Sequence, residues 1–126
     1  MAQPGRVLVV DDQENLCWVL SRVLSERGHE VRTAQNCAQA LRLASVFNCQ
    51  VAIVDFRLPD GNGIALIERL RAENPGLRAI LMTSYGSPAL HEEIRSLGLH
   101  AFFDKPFVNA QMVDSVAAAL LAWGAP

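Results

Sequence analysis

The chain has one lysine, one tyrosine and three cysteines in 126 residues, and each scarcity narrows what it can be. Cys17, Cys37 and Cys49 are odd in number and form no Cys-x-x-Cys pair, so no disulfide framework or zinc site is written here. Set among apolar neighbours, they read as small buried thiols. Long hydrophobic runs are also missing. The longest, 116–123, is shorter than the ~20 residues needed to span a bilayer. The start, Met1-Ala2-Gln3-Pro4-Gly5, lacks the charged and apolar regions of a signal peptide, so the expected compartment is the cytosol, with no membrane partner. No excess of positive charge exists either. Eleven basic residues face thirteen acidic ones, and the net charge of -2 gives no pull toward nucleic acid. No helix-turn-helix stands out, and direct nucleic-acid binding is not expected. Repeats, low-complexity tracts and long linkers are absent.

What is present fits one domain with one core, spanning 1–126 with its body at about 5–122 and a tail or linker start at 123–126. The chain alternates short apolar runs with amphipathic stretches. Residues 6–10 (R-V-L-V-V) read as a buried strand. Leu16, Val19, Leu20, Val23 and Leu24 recur at helical spacing, up to the stop at Arg27-Gly28. A shorter strand at 30–34 and a helix at 36–47 follow. Residues 50–55 (Q-V-A-I-V-D) form a third strand, and 57–63 (R-L-P-D-G-N-G) a turn cluster. Ile64, Leu66, Ile67 and Leu70 mark a helix closed by Asn74-Pro75-Gly76. A strand at 78–83, a helix at 88–97, a short strand at 100–103 and a last helix at 109–123 complete the series.

Five βα units predict an α/β fold: a doubly wound, five-stranded parallel sheet with five helices on its two faces. Right-handed crossovers place every strand's C-terminal end on one edge, where such folds bind ligands. That edge collects Asp11 and Asp12 after the first strand, Asp55 at the end of the third, Thr83 and Ser84 after the fourth, and Lys105 after the fifth. Lys105 is the only lysine among the eleven basic residues, a compact point charge where the chain otherwise uses the flat guanidinium fork.

Three crowded carboxylates repel one another, and a hard divalent cation resolves the repulsion. Mg²⁺ (or Mn²⁺) favours oxygen ligands and binds through one or two carboxylates plus water and phosphate oxygens. A carboxylate beside such a metal can attack phosphorus. The metal and Lys105 would neutralise charge on the phosphoryl oxygens, and Thr83 can donate a hydrogen bond to one of them.

These residues carry a resemblance. V-L-V-V-D-D (7–12), V-A-I-V-D-F-R-L-P-D-G (51–61), A-I-L-M-T-S-Y-G (79–86) and F-F-D-K-P-F (102–107) resemble the receiver domain of two-component response regulators, in order and over about 5–122. The resemblance implies the strand order 2-1-3-4-5. It implies that Asp55 is the phosphoacceptor and that a histidine kinase or phosphotransfer protein is the donor. Asp12 would bind the metal directly, Asp11 largely through water, and Arg57 through its backbone carbonyl. Thr83 would be the switch hydroxyl, Phe102 the rotating aromatic and Lys105 the phosphoryl-binding lysine, with a cis Lys105-Pro106 bond. The domain would switch the face made of helix 4, strand 5 and helix 5, for homodimerisation or target docking. It would be no enzyme beyond its own phosphorylation and dephosphorylation. The blocks D-F-R-L-P-D-G and M-T-S-Y-G are similar to receivers of transcriptional regulators of the nitrogen-regulation type, in which an ATPase domain follows; Gly124-Ala125-Pro126 would open a linker or form a natural terminus. Two positions depart from the common pattern: Ser84 stands where Ala is frequent, and Arg57 puts a long cation at the pocket mouth, where it would shield a phosphoryl group from water.

Each residue also has a plainer reading. Asp11 and Asp12 could cap the first helix, Asp55 could belong to a turn, Thr83 could be a strand-end residue, Phe102 core and Asp60-Gly61 a turn; His29, His91 and His100 lack ligand spacing. Two other functions can use a strand-end acid or a phosphate loop in this kind of fold. An aspartyl-phosphate phosphatase of the haloacid dehalogenase class wants a second Asp two residues after the nucleophile, where Arg57 stands. A flavin-binding module wants a hydroxyl-rich phosphate loop where Asp11-Asp12 stand. The convergence of acids, hydroxyl and sole lysine on one edge favours the receiver.

Overall fold

The computed structural model describes residues 4–84 and 86–123; the 124–126 part of the expected tail lies outside the described residues. The elements run β1 (Arg6–Val10), α1 (Glu14–Ser25), β2 (Glu30–Ala34), α2 (Cys37–Ala44), β3 (Val51–Asp55), β4 (Arg57–Leu58), β5 (Gly61–Asn62), α3 (Gly63–Glu73), β6 (Arg78–Thr83), α4 (Pro88–Arg95), β7 (Ala101–Asp104) and α5 (Asn109–Ala122). Five strands make one parallel sheet in the order β2-β1-β3-β6-β7. Counting that sheet alone, this is the expected 2-1-3-4-5. The order reverses between β1 and β3, and their C-terminal ends open there as a crevice.

The central strands β1, β3 and β6 are almost wholly apolar because both of their faces are covered, whereas β2 at the sheet edge leaves Glu30, Arg32 and Thr33 exposed. Leu8, Val10, Ala52, Val54, Ala79 and Leu81 pack toward α2, α3 and α4. Their alternates Val7, Val9, Val51, Ile53, Ile80 and Met82 pack toward α1 and α5. The two-residue period of a strand thus feeds two cores, and a one-residue slip would exchange them. On the helices, Leu20 and Leu24 of α1 and Met112 and Val116 of α5 fill one core, while Leu66, Ile67 and Leu70 of α3 fill the other.

Three boundaries differ from expectation for local reasons. The 57–63 cluster is a small antiparallel ribbon, β4 against β5, rather than a plain turn. The second helix stops at Ala44, where the Ser45 hydroxyl donates to the Arg42 carbonyl (2.7 Å) and Phe47 folds into the core. The last sheet strand runs on to Asp104, which pairs with Thr83 across β6.

Candidate functional site

Backbone pairing at the sheet edge sets each side chain. The Asp11 N–H donates to the Ala34 carbonyl (3.0 Å), carrying the β1–β2 ladder one residue past β1. Asp11 is thereby fully buried, and its Oδ1 accepts from the Gln13 N–H (2.8 Å). Gln13, not Asp12, is the N-cap of α1 and makes no side-chain cap bond, so the plain capping reading survives only as the Asp11 bond to the Gln13 N–H. Asp12 is exposed. Asp55 is the last residue of β3, opposite Met82, and only 7% exposed. Thr83 ends β6, fully buried. The Lys105 N–H donates to the Thr83 carbonyl (2.8 Å), and the Lys105-Pro106 peptide bond is cis.

From this frame the Lys105 ammonium lies 2.6 Å from Asp11 Oδ2 and 3.3 Å from Asp55 Oδ1. One carboxylate oxygen each from Asp11, Asp12 and Asp55 lies within 4.8 Å of the others. Burial pushes the Asp55 carboxyl above the usual Asp value, and the Asp11 charge pushes it further, against Lys105. Burial pulls the Lys105 ammonium down, but the hydrogen bond and charge of Asp11, then Asp55, outweigh it and leave it above the ordinary lysine value. Three carboxylates thus share one ammonium, and the deficit of positive charge is what a divalent cation bound by oxygens would fill. The donor set fits Mg²⁺: hard carboxylate oxygens, one of them on an exposed residue that leaves room for water.

Burial pushes the nearby Cys17 thiol up to about 11, with Asp11 adding to it, and its Sγ donates to the Asp11 carbonyl (3.2 Å). Cys49 is also pushed up to about 11 by burial. Cys17 and Cys49 are the buried thiols expected, whereas Cys37 is only half-buried.

Two expected site residues stand outside this contact set. Arg57 is exposed on β4. Phe102 is half-buried on β7, its ring 4.7 Å from that of His91. Exposed Ser84 joins Gln13, Leu16, Lys105 and Phe107 around a cleft of about 350 Å³ at the mouth.

Three contributors escaped sequence reasoning. Asp60 is more than a turn residue: its carboxylate accepts from the Cys37 and Ala38 N–H groups (2.7 and 3.0 Å), capping α2 from the ribbon. Those two bonds hold its carboxyl below the usual value. No local spacing reveals a cap supplied from more than twenty residues away. Asn62 caps α3 by accepting from the Ile64 N–H (2.7 Å), and an Asn ahead of a helical apolar run is a readable signal. Gly63 starts α3 so close to β3 that a Cβ would collide with the Asp55 carbonyl oxygen.

Comparison with known proteins bears on this geometry. The family model for the response regulator receiver domain matches residues 7–117. The chain is similar to sporulation initiation phosphotransferase F of Bacillus subtilis (strain 168), 30% identical over 111 residues, 88% of this chain and 90% of that protein. It is similar to the photosynthetic apparatus regulatory protein RegA of Cereibacter sphaeroides, 34% identical over 118 residues, 94% of this chain but 62% of RegA, less than two thirds of its length. It superimposes with a TM-score of 0.80 on a Burkholderia pseudomallei response regulator solved with a phosphorylated aspartic acid, a calcium ion and citrate; identity is 30%, over 94% of this chain and 71% of that one. The phosphatase alternative finds no support here, and Arg57 stands where that class needs an acid. Among the described residues no helix is long and apolar enough to cross a membrane.

Proposed function

The chain belongs to the response regulator receiver domain family, and from that premise we propose that Asp55 accepts a phosphoryl group from the phosphohistidine of a histidine kinase or phosphotransfer protein. The observation that carries this reading is the buried Asp55 carboxylate, 3.3 Å from Lys105 and clustered with Asp11 and Asp12. An Asp55 carboxylate oxygen attacks phosphorus, and the P–N bond breaks with its electron pair leaving on the imidazole. Lys105 balances charge on the phosphoryl oxygens, and the Thr83 hydroxyl donates to one of them. Asp12 and Asp55 would hold Mg²⁺ (or Mn²⁺) directly, with the Arg57 carbonyl, and Asp11 largely through water. The bound metal supplies charge neutralisation for the transferring group.

The readout follows from the pleat. Phe102 pairs with Leu81, and Thr83 lies two residues on from Leu81, so all three share one face of the sheet. When Thr83 moves toward the phosphoryl group, the space it leaves admits the Phe102 ring. The face formed by α4, β7 and α5 then changes, and a 480 Å³ groove between β7 and the start of α5, lined by Phe102, Pro106, Phe107, Val108 and Gln111, lies on it. This is a two-state element biased by a local charge. The face serves a homodimer or an output partner; the domain makes no direct nucleic-acid or membrane contact, works in the cytoplasm and turns over no substrate but its own phosphoryl group. It forms a single unit with its core at about 5–122, and its switching face would control an output domain or a separate partner.

The test is incubation with acetyl phosphate and Mg²⁺, read by intact mass. One added phosphoryl mass is expected on the native chain and none on Asp55→Asn. A gain that survives Asp55→Asn refutes the assignment. Size-exclusion with beryllofluoride, a phosphoryl mimic, then reads dimer formation.

A further inference from the structure

Beyond the acidic cluster, one group of polar side chains touches the switch from outside: His91 on α4, Asp104 at the end of β7, and the Phe102 ring between them. His91 Nε2 lies 3.4 Å from Asp104 Oδ1. The same imidazole meets the Phe102 ring edge-on, with centroids 4.7 Å apart and planes at 64°. Gly86 packs against both partners: a Cβ there would strike Asp104 Oδ1 and come within 2.6 Å of His91 Nε2. The chain between β6 and α4 therefore fits closely over this pair. At the opposite end of α4, the Arg71 guanidinium from α3 donates to the Leu97 and Gly98 carbonyls (2.9 and 2.7 Å). α4 is thus held past its C-terminal end by guanidinium bonds to carbonyls, and through His91 by the contact with Asp104.

We propose that His91 is a pH-sensitive latch on the switch: it holds Phe102 and Asp104 in the resting arrangement, and more tightly when protonated. The proposal deepens the phosphorylation reading and rests on it. Movement of Phe102 into the space vacated by Thr83 takes its ring away from His91, so the edge-to-face contact belongs to the resting state alone. A neutral His91 offers Asp104 one long hydrogen bond; a protonated one offers an ion pair, which is stronger. Protonation therefore favours the state in which the pair is intact, and acid opposes activation.

The other charges facing His91 leave this sign unchanged. On its own helix Glu92 pairs with Arg95 (3.4 Å), and Glu93 is exposed. From β7 the facing charge is Asp104; Lys105, next along, is turned to Asp11 and Asp55. From α3 the charge is Arg71, spent on carbonyls at the far end of α4.

The experiment measures half-saturating beryllofluoride with Mg²⁺ in the full chain, by the fluorine resonance of the bound ion, for the native protein, His91→Gln and Asp104→Asn. The ratio of native to variant removes titration common to all three, including that of the acidic site. At about pH 5.5, where an ordinary histidine is mostly charged, the native protein is expected to need more beryllofluoride than either variant. The ceiling is roughly five-fold, as suits a partly exposed pair. At about pH 8 the ratio is expected to fall toward one for Asp104→Asn and to a smaller constant residue for His91→Gln, which also lacks the ring. A ratio that does not change with pH, or variants harder to activate than the native chain, overturns the latch and leaves the phosphoryl site standing. A native chain that takes up no beryllofluoride overturns the underlying reading, and the latch with it.

Discussion

The two ends of the sheet use polar side chains in opposite ways. At the C-terminal edge, side chains face each other: Asp11, Asp55 and Lys105 sit in mutual contact and are short of positive charge. At the N-terminal edge they serve the backbone. Arg6 Nε donates to the Asn48 carbonyl (2.5 Å), Asn74 to the Cys49 carbonyl (2.9 Å), and Arg78 to the Ala122 carbonyl through two nitrogens. His29 Nδ1 accepts from the buried Gly5 N–H (3.0 Å). One end closes chain breaks left by the parallel topology. The other keeps an electrostatic debt open for a ligand to settle. Function sits where satisfaction is incomplete.

The contrast can be broken most strongly at Gly63. Gly63→Ala would drive a methyl group into the Asp55 carbonyl, displacing the β3 end. Phosphoryl uptake is expected to slow about 100-fold if Asp55 shifts by an ångström, with about 1–3 kcal/mol lost in urea unfolding. Acetyl phosphate kinetics of Gly63→Ala check the first, and a native rate would show that the close approach does not position Asp55.

At the other end the expected losses are of stability alone. His29→Ala leaves the Gly5 N–H without an acceptor and should cost about 1–3 kcal/mol, with phosphoryl uptake unchanged. Burial, then Arg27, holds the His29 imidazole below its ordinary value, so the folded state prefers it neutral. The unfolded chain then binds more protons, and stability rises with pH across that window. The contribution is complete above the ordinary histidine value and is lost as pH falls through the lower, folded one. Urea midpoints of the native chain and His29→Ala should therefore converge in acid; a parallel course would contradict it.

A smaller effect of opposite sign belongs to Asp55→Asn, measured with a chelator present. Asp55 is held above its ordinary value, so at neutral pH its ionised form opposes folding. The amide should raise stability by on the order of 1 kcal/mol. The gain should shrink as pH falls through the raised folded value, where the native carboxyl protonates. Thermal unfolding of both proteins, at neutral pH and in acid, decides it. The smallest effect is at the rim. Arg57→Ala should shorten the lifetime of the phosphorylated chain by a few-fold at most, because Arg57 is exposed. An unchanged lifetime by phosphate release would remove its shielding role.

What was legible in the sequence divides along the same line. Strands at 6–10, 50–55 and 78–83 were readable because both faces are buried, which demands unbroken apolar runs. Asp11, Asp55 and Lys105 were readable because chemistry at strand ends follows from the topology those runs imply. Asp60 reaching α2, His29 accepting from Gly5 and His91 meeting Asp104 were not. Each joins segments brought together only by the crossovers, and each looks locally like an ordinary turn or surface residue. The ribbon at 57–62 was hidden by its own Gly and Pro content, which signals a turn whether or not two residues on each side pair.

The solitary lysine has a use in the laboratory. Reductive methylation with isotope-enriched formaldehyde retains the positive charge and would place its only side-chain label at Lys105, whose side chain is 12% exposed between Asp11 and Asp55. The methyl resonance of that one amine would report the electrostatic state of the acidic pocket without assignment of any other side chain. Apart from the α-amine, which the same reaction labels, Lys105 is the protein's one amine probe.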